Sequence, residues 1–402
     1  IGYHGSELSG RYGLEKQYEK VLGRETGENG INFFAELFSG LGKEAVGKVL
    51  PEGDIYLTIE PVVQDVAEKA AHALMESYMA EGAGIIIMEP STGALRALAA
   101  LPSYNPGEEK VNLNVLGNPL IERVYEMGSI IKPLTIAAAF DAEVLTRETT
   151  YNDKGFVLLN GARIENFDKK GRGVVPMQEV LNNSLNTGAV FAMQQLGRDR
   201  FRTYMHAYGF GDKTGVDLPD EVAGITSNLE STRDLEYATA SFGQGIALTP
   251  LATTRALASL GNGGLIVKPY VVQEIRYKGG EKGVTNPTIL RRVLKEETSE
   301  EITRMLITVY DKALAGGKYK MEHYSIAAKT GTAQISQDVK GYYEDQYLHS
   351  FFGYFPAYEP RFIVFLYILK PQGVRYASES LSEPFVSLAK FLINYYRIPP
   401  DR

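Results

Sequence analysis

Cysteine is absent from the 402 residues. That excludes disulfides, thiolate metal sites and cysteine nucleophiles. Tryptophan is absent too. The five histidines, His4, His72, His206, His323 and His349, show no metal-ligand spacing, so neither a metal nor another cofactor is expected. The chain has no excess of positive charge: 42 Lys and Arg against 49 Asp and Glu leave a net charge of −7. Without a basic run, nucleic acid is not an expected partner. No run of about 20 apolar residues is present, so no segment reads as a membrane span. The longest apolar run, 362–369, has the length of a strand. The first residue is Ile1, not Met, inside a polar segment. It reads as a trimmed or processed form, with any signal or anchor upstream of it.

What remains is the material of a folded protein. Hydrophobic residues make up 44% and charged residues 23%, which excludes a disordered chain. The length allows two or three domains, or one large domain with an appendage. Residues 1–52 are Gly-rich and too short for a core of their own; 10–23 reads as a short helix with Leu14, Tyr18 and Leu22 on one face. From Asp54 the texture changes. A strand is expected at 55–60, then a helix opened by Pro61 with Val62, Val66, Ala70, Ala73 and Leu74 along one face. Two apolar runs flank Glu89-Pro90-Ser91-Thr92-Gly93, a hairpin signal. A buried helix is expected from Ser129 to about Val144. The stretch 160–173 reads as a solvated loop with a basic tip. Strands are expected at 324–334, 348–357 and 361–369, and a final helix at 382–396 with Phe385, Leu388, Ala389 and Leu392 on its apolar face. The order predicts an α+β domain, 53–402, whose sheet takes strands from both ends of the chain.

Three short patterns can carry chemistry. In Ser129-Ile130-Ile131-Lys132, residues three apart share a helix face, so the Lys amine can reach the Ser hydroxyl and take its proton. In Ser184-Leu185-Asn186, a hydroxyl and an amide two apart can relay a proton and grip a substrate amide. In Lys329-Thr330-Gly331-Thr332, an edge strand offers free main-chain groups to which a peptide can add, and Gly331 leaves room for a substrate backbone. Each pattern has a decoy that reads as structural: Ser387 to Lys390 in the final helix, Ser103 to Asn105 in a Pro-flanked loop, and Lys213-Thr214-Gly215 in a Gly-rich loop.

Their order and spacing are the stronger signal. Fifty-five residues separate Ser129 from Ser184, and 145 separate Ser184 from Lys329. With these motifs the chain resembles the transpeptidase module of class B, monofunctional penicillin-binding proteins. The resemblance extends to 13–22, 54–70, 125–133, 182–197, 208–219, 241–250 and 327–334, and is most like the division-specific branch. Met127 departs from it, standing where that family usually has Pro; the 160–173 loop and the end after Gln372 match only loosely.

The resemblance implies a penicillin-binding, serine β-lactamase-like fold: a central antiparallel sheet flanked by helices, with 1–52 the remnant of an N-terminal pedestal. It implies a serine D,D-transpeptidase that cross-links peptidoglycan stem peptides ending in D-Ala-D-Ala and is trapped by β-lactams at Ser129. Ser129 is then the nucleophile and Lys132 its base. Ser184 relays the proton, Lys329 sets the field, and Asn186 holds the substrate amide. Thr330 and Thr332 bind the carboxylate beside Gly331, and the backbone N–H groups of Ser129 and Thr332 form the oxyanion hole. For Lys132 to be mostly neutral at pH 7 it must come down from about 10.4, at a cost of about 4 kcal/mol; burial and Lys329 both push that way. The resemblance also implies an extracytoplasmic site on an N-terminally anchored protein, working with a membrane glycan polymerase and other division or elongation proteins. The rivals are an elongation-type transpeptidase, a D,D-carboxypeptidase, a serine β-lactamase, and a silent β-lactam sensor or scaffold.

Overall fold

The computed structural model describes residues 3–4, 10–22, 52–104, 115–337 and 341–402. Helix α1 (Pro61–Ser77) leads into the hairpin β1 (Gly82–Met88) and β2 (Leu95–Leu101). The middle of the chain is largely helical and includes α2 (Lys132–Asp141), α3 (Met177–Asn182) and α4 (Asn186–Leu196). Then come β3 (Ala327–Ser336), β4 (Tyr342–Phe355) and β5 (Phe362–Leu369), and the final helix α5 (Ser382–Tyr395).

These five strands form one antiparallel sheet in the order β3-β4-β5-β1-β2. The two halves of the chain meet at β5 and β1, where Ile363 pairs with Met88 and Leu369 with Gly82. Both faces of the sheet are covered, which is why β1 reads as a continuous apolar run. Ile86 and Met88 enter the larger core with α2 and α4. Ile85 and Ile87 enter the other core, with Val63 of α1 and Phe385 of α5. The expected α+β class, hairpin, C-terminal strands and final helix are all present.

Several details differ from the sequence reading. The buried face of α1 is Val63, Ala67, Ala71 and Leu74, while Val62 and Ala73 are exposed. Two apolar stripes lie one residue apart on this helix, and packing on the sheet selects one of them. The strand expected at 55–60 is Gly53–Leu57, and it pairs with Val272–Tyr277 outside the central sheet. β4 begins at Tyr342, six residues early.

The helix expected from Ser129 to Val144 is instead a 3-10 turn, Gly128–Ile131, followed by α2. An α-helix through Ser129 would need an N–H at Pro133, which has none. The Lys132 N–H closes the tighter bond to the Ser129 carbonyl instead. The helix expected at 10–23 is broken at Tyr18 into Gly13–Gln17 and Glu19–Leu22, and its buried residues are Leu14 and Val21. Leu14 joins the main core, and Lys16 pairs with Asp220 at 2.7 Å. Most of the expected pedestal remnant lies outside the described residues. Among the described residues no helix is long and apolar enough to cross a membrane.

Candidate active site

The turn that carries Ser129 is held by contacts no larger residue would allow. Gly128 has φ +65° and donates its N–H to the Gly243 carbonyl at 3.1 Å. A Cβ on Gly243, itself at φ +82°, would lie 2.3 Å from the Gly128 carbonyl. The 241–245 stretch therefore packs backbone to backbone on the turn. Met127 is buried at 1% exposure with φ −87°. Its carbonyl accepts from Ser350 Oγ at 2.9 Å, so packing constrains a position where a Pro ring was expected. Glu126 accepts from the Gly245 N–H at 3.0 Å and the Tyr342 hydroxyl at 3.3 Å. Burial raises its pKa above the usual carboxylate range, against the opposing pull of those two donors.

Behind Ser129 two amines converge on one hydroxyl. Lys132, fully buried at the start of α2, directs Nζ to the Ser184 carbonyl at 2.5 Å and to Ser184 Oγ at 3.2 Å. Lys329, 3% exposed, directs Nζ to the same Oγ at 3.2 Å and to the Thr330 carbonyl at 2.9 Å. Among the described residues neither lysine pairs with a carboxylate. Burial, then the charge of Lys329, holds Lys132 well below the usual lysine range. Burial alone brings Lys329 down to about 7. Ser184 sits between α3 and α4 at φ +52°, a backbone region that side chains rarely occupy. Among the described residues the Ser129 hydroxyl has no hydrogen-bond partner. The expected reach of Lys132 is thus spent on Ser184 in this state, because the amine lies within reach of Ser184's carbonyl and hydroxyl together.

Lys329, Thr330, Gly331 and Thr332 lie on β3, which is an edge of the sheet. Thr330 and Thr332 are half-buried, whereas Lys329 and Gly331 are buried. Thr332 Oγ1 accepts from the Ala377 N–H at 3.1 Å, which leaves its own O–H able to donate. Gly331 differs from expectation. A Cβ there would meet Ser350 Oγ at 2.4 Å and the Met127 carbonyl at 2.7 Å. Its missing side chain makes room for the Ser129 turn, because alternate strand positions face opposite sides of the sheet. His349 of β4, paired with Thr332 of β3, is fully buried and shares a hydrogen bond with Ser380 Oγ at 2.8 Å. Burial brings it down to about 4.

The other flank of the cleft was not read from the sequence. The stretch 160–173 is not merely a solvated loop. It holds a strand, Ala162–Glu165, and the buried Asn166. Asn186 Nδ2 donates to the Glu165 carbonyl at 2.8 Å, leaving Oδ1 and one N–H of its amide. The next residue, Phe167, meets Tyr376 edge to face at 5.6 Å. Phe167 lies two residues after the Glu165 that bonds Asn186, and Tyr376 directly precedes the Ala377 that bonds Thr332, so the two flanks touch through aromatic rings. Glu126, Gly243, Ser350, Glu165 and Asn166 are the residues missed. Only the Gly-rich 241–245 stretch carried a local signal.

The decoys are structural. Ser387 and Lys390 are exposed on α5. Thr214 is 2% exposed and donates N–H and O–H to Glu221. Of the third decoy, Asn105 lies outside the described residues.

The Penicillin binding protein transpeptidase domain matches residues 83–389. The chain belongs to this penicillin-binding protein family. Stage V sporulation protein D of Bacillus subtilis is 30% identical, over 96% of this chain and 60% of that protein. A protein of Mesostigma viride named peptidoglycan D,D-transpeptidase FtsI homolog is 27% identical, over 100% of this chain and 71% of that one. The penicillin-binding chain thus spans about three fifths of the first relative's length. Its fold is similar to that of penicillin-binding protein 3 from Mycobacterium tuberculosis, with a TM-score of 0.86 and 22% identity over 100% of this chain and 89% of that one. That protein has also been solved in complex with aztreonam and with ampicillin.

Proposed function

We propose that this chain is the catalytic part of a peptidoglycan D,D-transpeptidase that works through an acyl-enzyme on Ser129. The observation that carries the reading is the pair of buried lysine amines meeting at the Ser184 hydroxyl behind the Ser129 turn. Burial without a carboxylate partner favours neutral amines, and a neutral amine can accept a proton. Lys132 takes the proton of Ser129 as Oγ attacks the carbonyl of the penultimate D-Ala. Ser184 then relays a proton to the departing D-Ala amine, with Lys329 tuning the local field. Asn186 grips the donor's amide. The hydroxyls of Thr330 and Thr332 hold the terminal carboxylate beside Gly331. The N–H groups of Ser129 and Thr332 face the oxyanion. An amine from a second stem peptide attacks the ester, forms the cross-link and frees Ser129.

The names of the relatives support the peptidoglycan substrate, and the sporulation and FtsI names favour a role at the septum over elongation. A site on the extracytoplasmic face of the membrane, an anchor upstream, and a membrane glycan polymerase with other division proteins as partners belong to the same proposal. Mycobacterial penicillin-binding protein 3 in complex with ampicillin supports β-lactam capture at Ser129.

Intact mass after incubation with a penicillin, followed over hours, tests the reading. The expected result is a stable adduct of one drug mass that is absent in Ser129→Ala. Rapid adduct loss with accumulating hydrolysed drug would make the protein a β-lactamase. No adduct in the wild type would leave an inactive scaffold. A stem-peptide assay with an amine acceptor then separates cross-linking from carboxypeptidase activity.

A further inference from the structure

Asp153 is buried at 2% exposure, yet among the described residues it takes part in no ion pair. Four neutral donor groups satisfy its carboxylate. Oδ1 accepts from the Gly155 N–H at 2.9 Å, Asn166 Nδ2 at 3.0 Å and Thr187 Oγ1 at 2.8 Å. Oδ2 accepts from Asn166 Nδ2 at 3.1 Å and the Arg172 N–H at 3.1 Å. A buried carboxylate without a cation is costly, and it needs a set of donors this complete. The nearby guanidinium of Arg172 is committed to Asp168 at 2.8 Å.

The donors come from two pieces of chain that must meet beside the cleft. Gly155, Asn166 and Arg172 belong to the 150–176 segment, and Thr187 belongs to the first turn of α4. The carboxylate can accept only from the Nδ2 side of Asn166, and with the Lys170 carbonyl, 3.1 Å from the same Nδ2, it sets which way that amide faces. Asn166 Oδ1 is left pointing at the Thr187 N–H, 3.2 Å away, one of the unsatisfied amides at the start of α4. The residue before it, Glu165, then presents its carbonyl to Asn186 Nδ2 at 2.8 Å. This contact orients the Asn186 amide in turn, with Nδ2 towards Glu165. The Tyr151 hydroxyl, 3.1 Å from Thr187 Oγ1, completes the set.

We propose that Asp153 is a positioning residue for the transpeptidase site: acting through Asn166 and Glu165, it fixes the orientation of the Asn186 amide and so sets the preference for donors that carry an amide there. Asp153 itself touches no substrate. The inference rests on the proposed role of Asn186 in gripping that amide.

The test compares acylation of the full chain by two penams, one with an acylamino side chain and one without it. In Asp153→Asn, the new Nδ2 opposes Asn166 Nδ2 in either orientation, together with the Arg172 N–H in one and the Gly155 N–H and Thr187 hydroxyl in the other, so the amide chain loses its orientation. The preference for the amide-bearing penam is expected to fall by roughly tenfold, the equivalent of one hydrogen bond. Asn186→Ala is expected to show the same loss, and the double variant no further loss. Thr187→Val, which removes one donor and keeps the helix, is expected to move the preference the same way and serves if Asp153→Asn does not fold. A purely structural role would slow both penams equally and leave their ratio unchanged, and that result overturns the inference. So would losses that add in the double variant. A wild type that reacts with neither penam would overturn the proposed function and this inference with it.

Discussion

Lys132 and Lys329 carry long cationic side chains into a place where water cannot follow, and both amines end on a single serine hydroxyl. Among the described residues neither has a compensating carboxylate, which distinguishes them from a structural ion pair. A lysine lowered this way presents its neutral form at a lower pH than a free lysine does. The rate of acylation of Ser129 should therefore rise with pH and level off below the ordinary lysine range. Stopped-flow acylation by a chromogenic β-lactam across pH 5 to 11 checks this; a rise confined to the ordinary lysine range would remove Lys132 from the role of base.

His349 makes a separate residue-scale prediction. Its folded value is about 4 and its ordinary value is 6.5. Between those values the unfolded chain binds the proton and the folded chain does not. Stability is therefore full above pH 6.5 and falls as the pH drops towards 4, by about 3 kcal/mol across the window. Urea unfolding at pH 7.5 and pH 4.5 should show a smaller drop for His349→Gln than for the wild type.

At the scale of elements, the site depends on a turn pressed against a strand. Gly331 of β3 faces the Met127 carbonyl and Ser350, so Gly331→Ala must push the Ser129 turn away or distort the strand. The expected cost is about 1–3 kcal/mol, with slower acylation. A thermal melt and an acylation rate measured on the same sample check both effects. A variant that loses neither would show that the turn yields freely. The same junction limits what could be read from sequence. Ser-x-x-Lys promises a shared face at α-helical spacing, and the residues do share a turn, but Pro133 makes it a 3-10 turn. The strand under Lys329 to Thr332 was legible because these residues end a run of small and β-branched residues, Ser325 to Ala328; its edge position is set by the sheet order. The Asn166 flank was not legible. A polar stretch such as 160–173 reads as solvent-facing until a neighbour with complementary donors and acceptors is present.

For the whole molecule, β1 and β5 bring together strands nearly 300 residues apart, and one face of that joined sheet is sealed by α1 and α5. Phe385 of α5 stacks on Phe351 at 4.5 Å and meets Phe355 edge to face. Phe385→Ala should cost about 3–5 kcal/mol in urea unfolding. Because β3, with Lys329 to Thr332, and β4 share this packing, the variant should also lose acylation as it unfolds, in one transition rather than two. Separate transitions for activity and fluorescence would show that the two halves of the sheet are independent.

The amino-acid sequence by itself determined the local choices: where a helix opens at Pro61, where apolar runs make strands, and which three motifs are ordered along the chain. These depend on propensities and on neighbours a few residues away. Tertiary structure alone decided which stripe of α1 is buried, that two lysines from distant segments share the hydroxyl of Ser184, and that the missing side chain of Gly331 serves the Ser129 turn. Tertiary structure also brought the buried Asp153 against Asn166 and Thr187. Each of those outcomes is settled by atoms tens to hundreds of residues away in the chain, and burial, hydrogen-bond satisfaction and steric fit act only once those atoms are side by side.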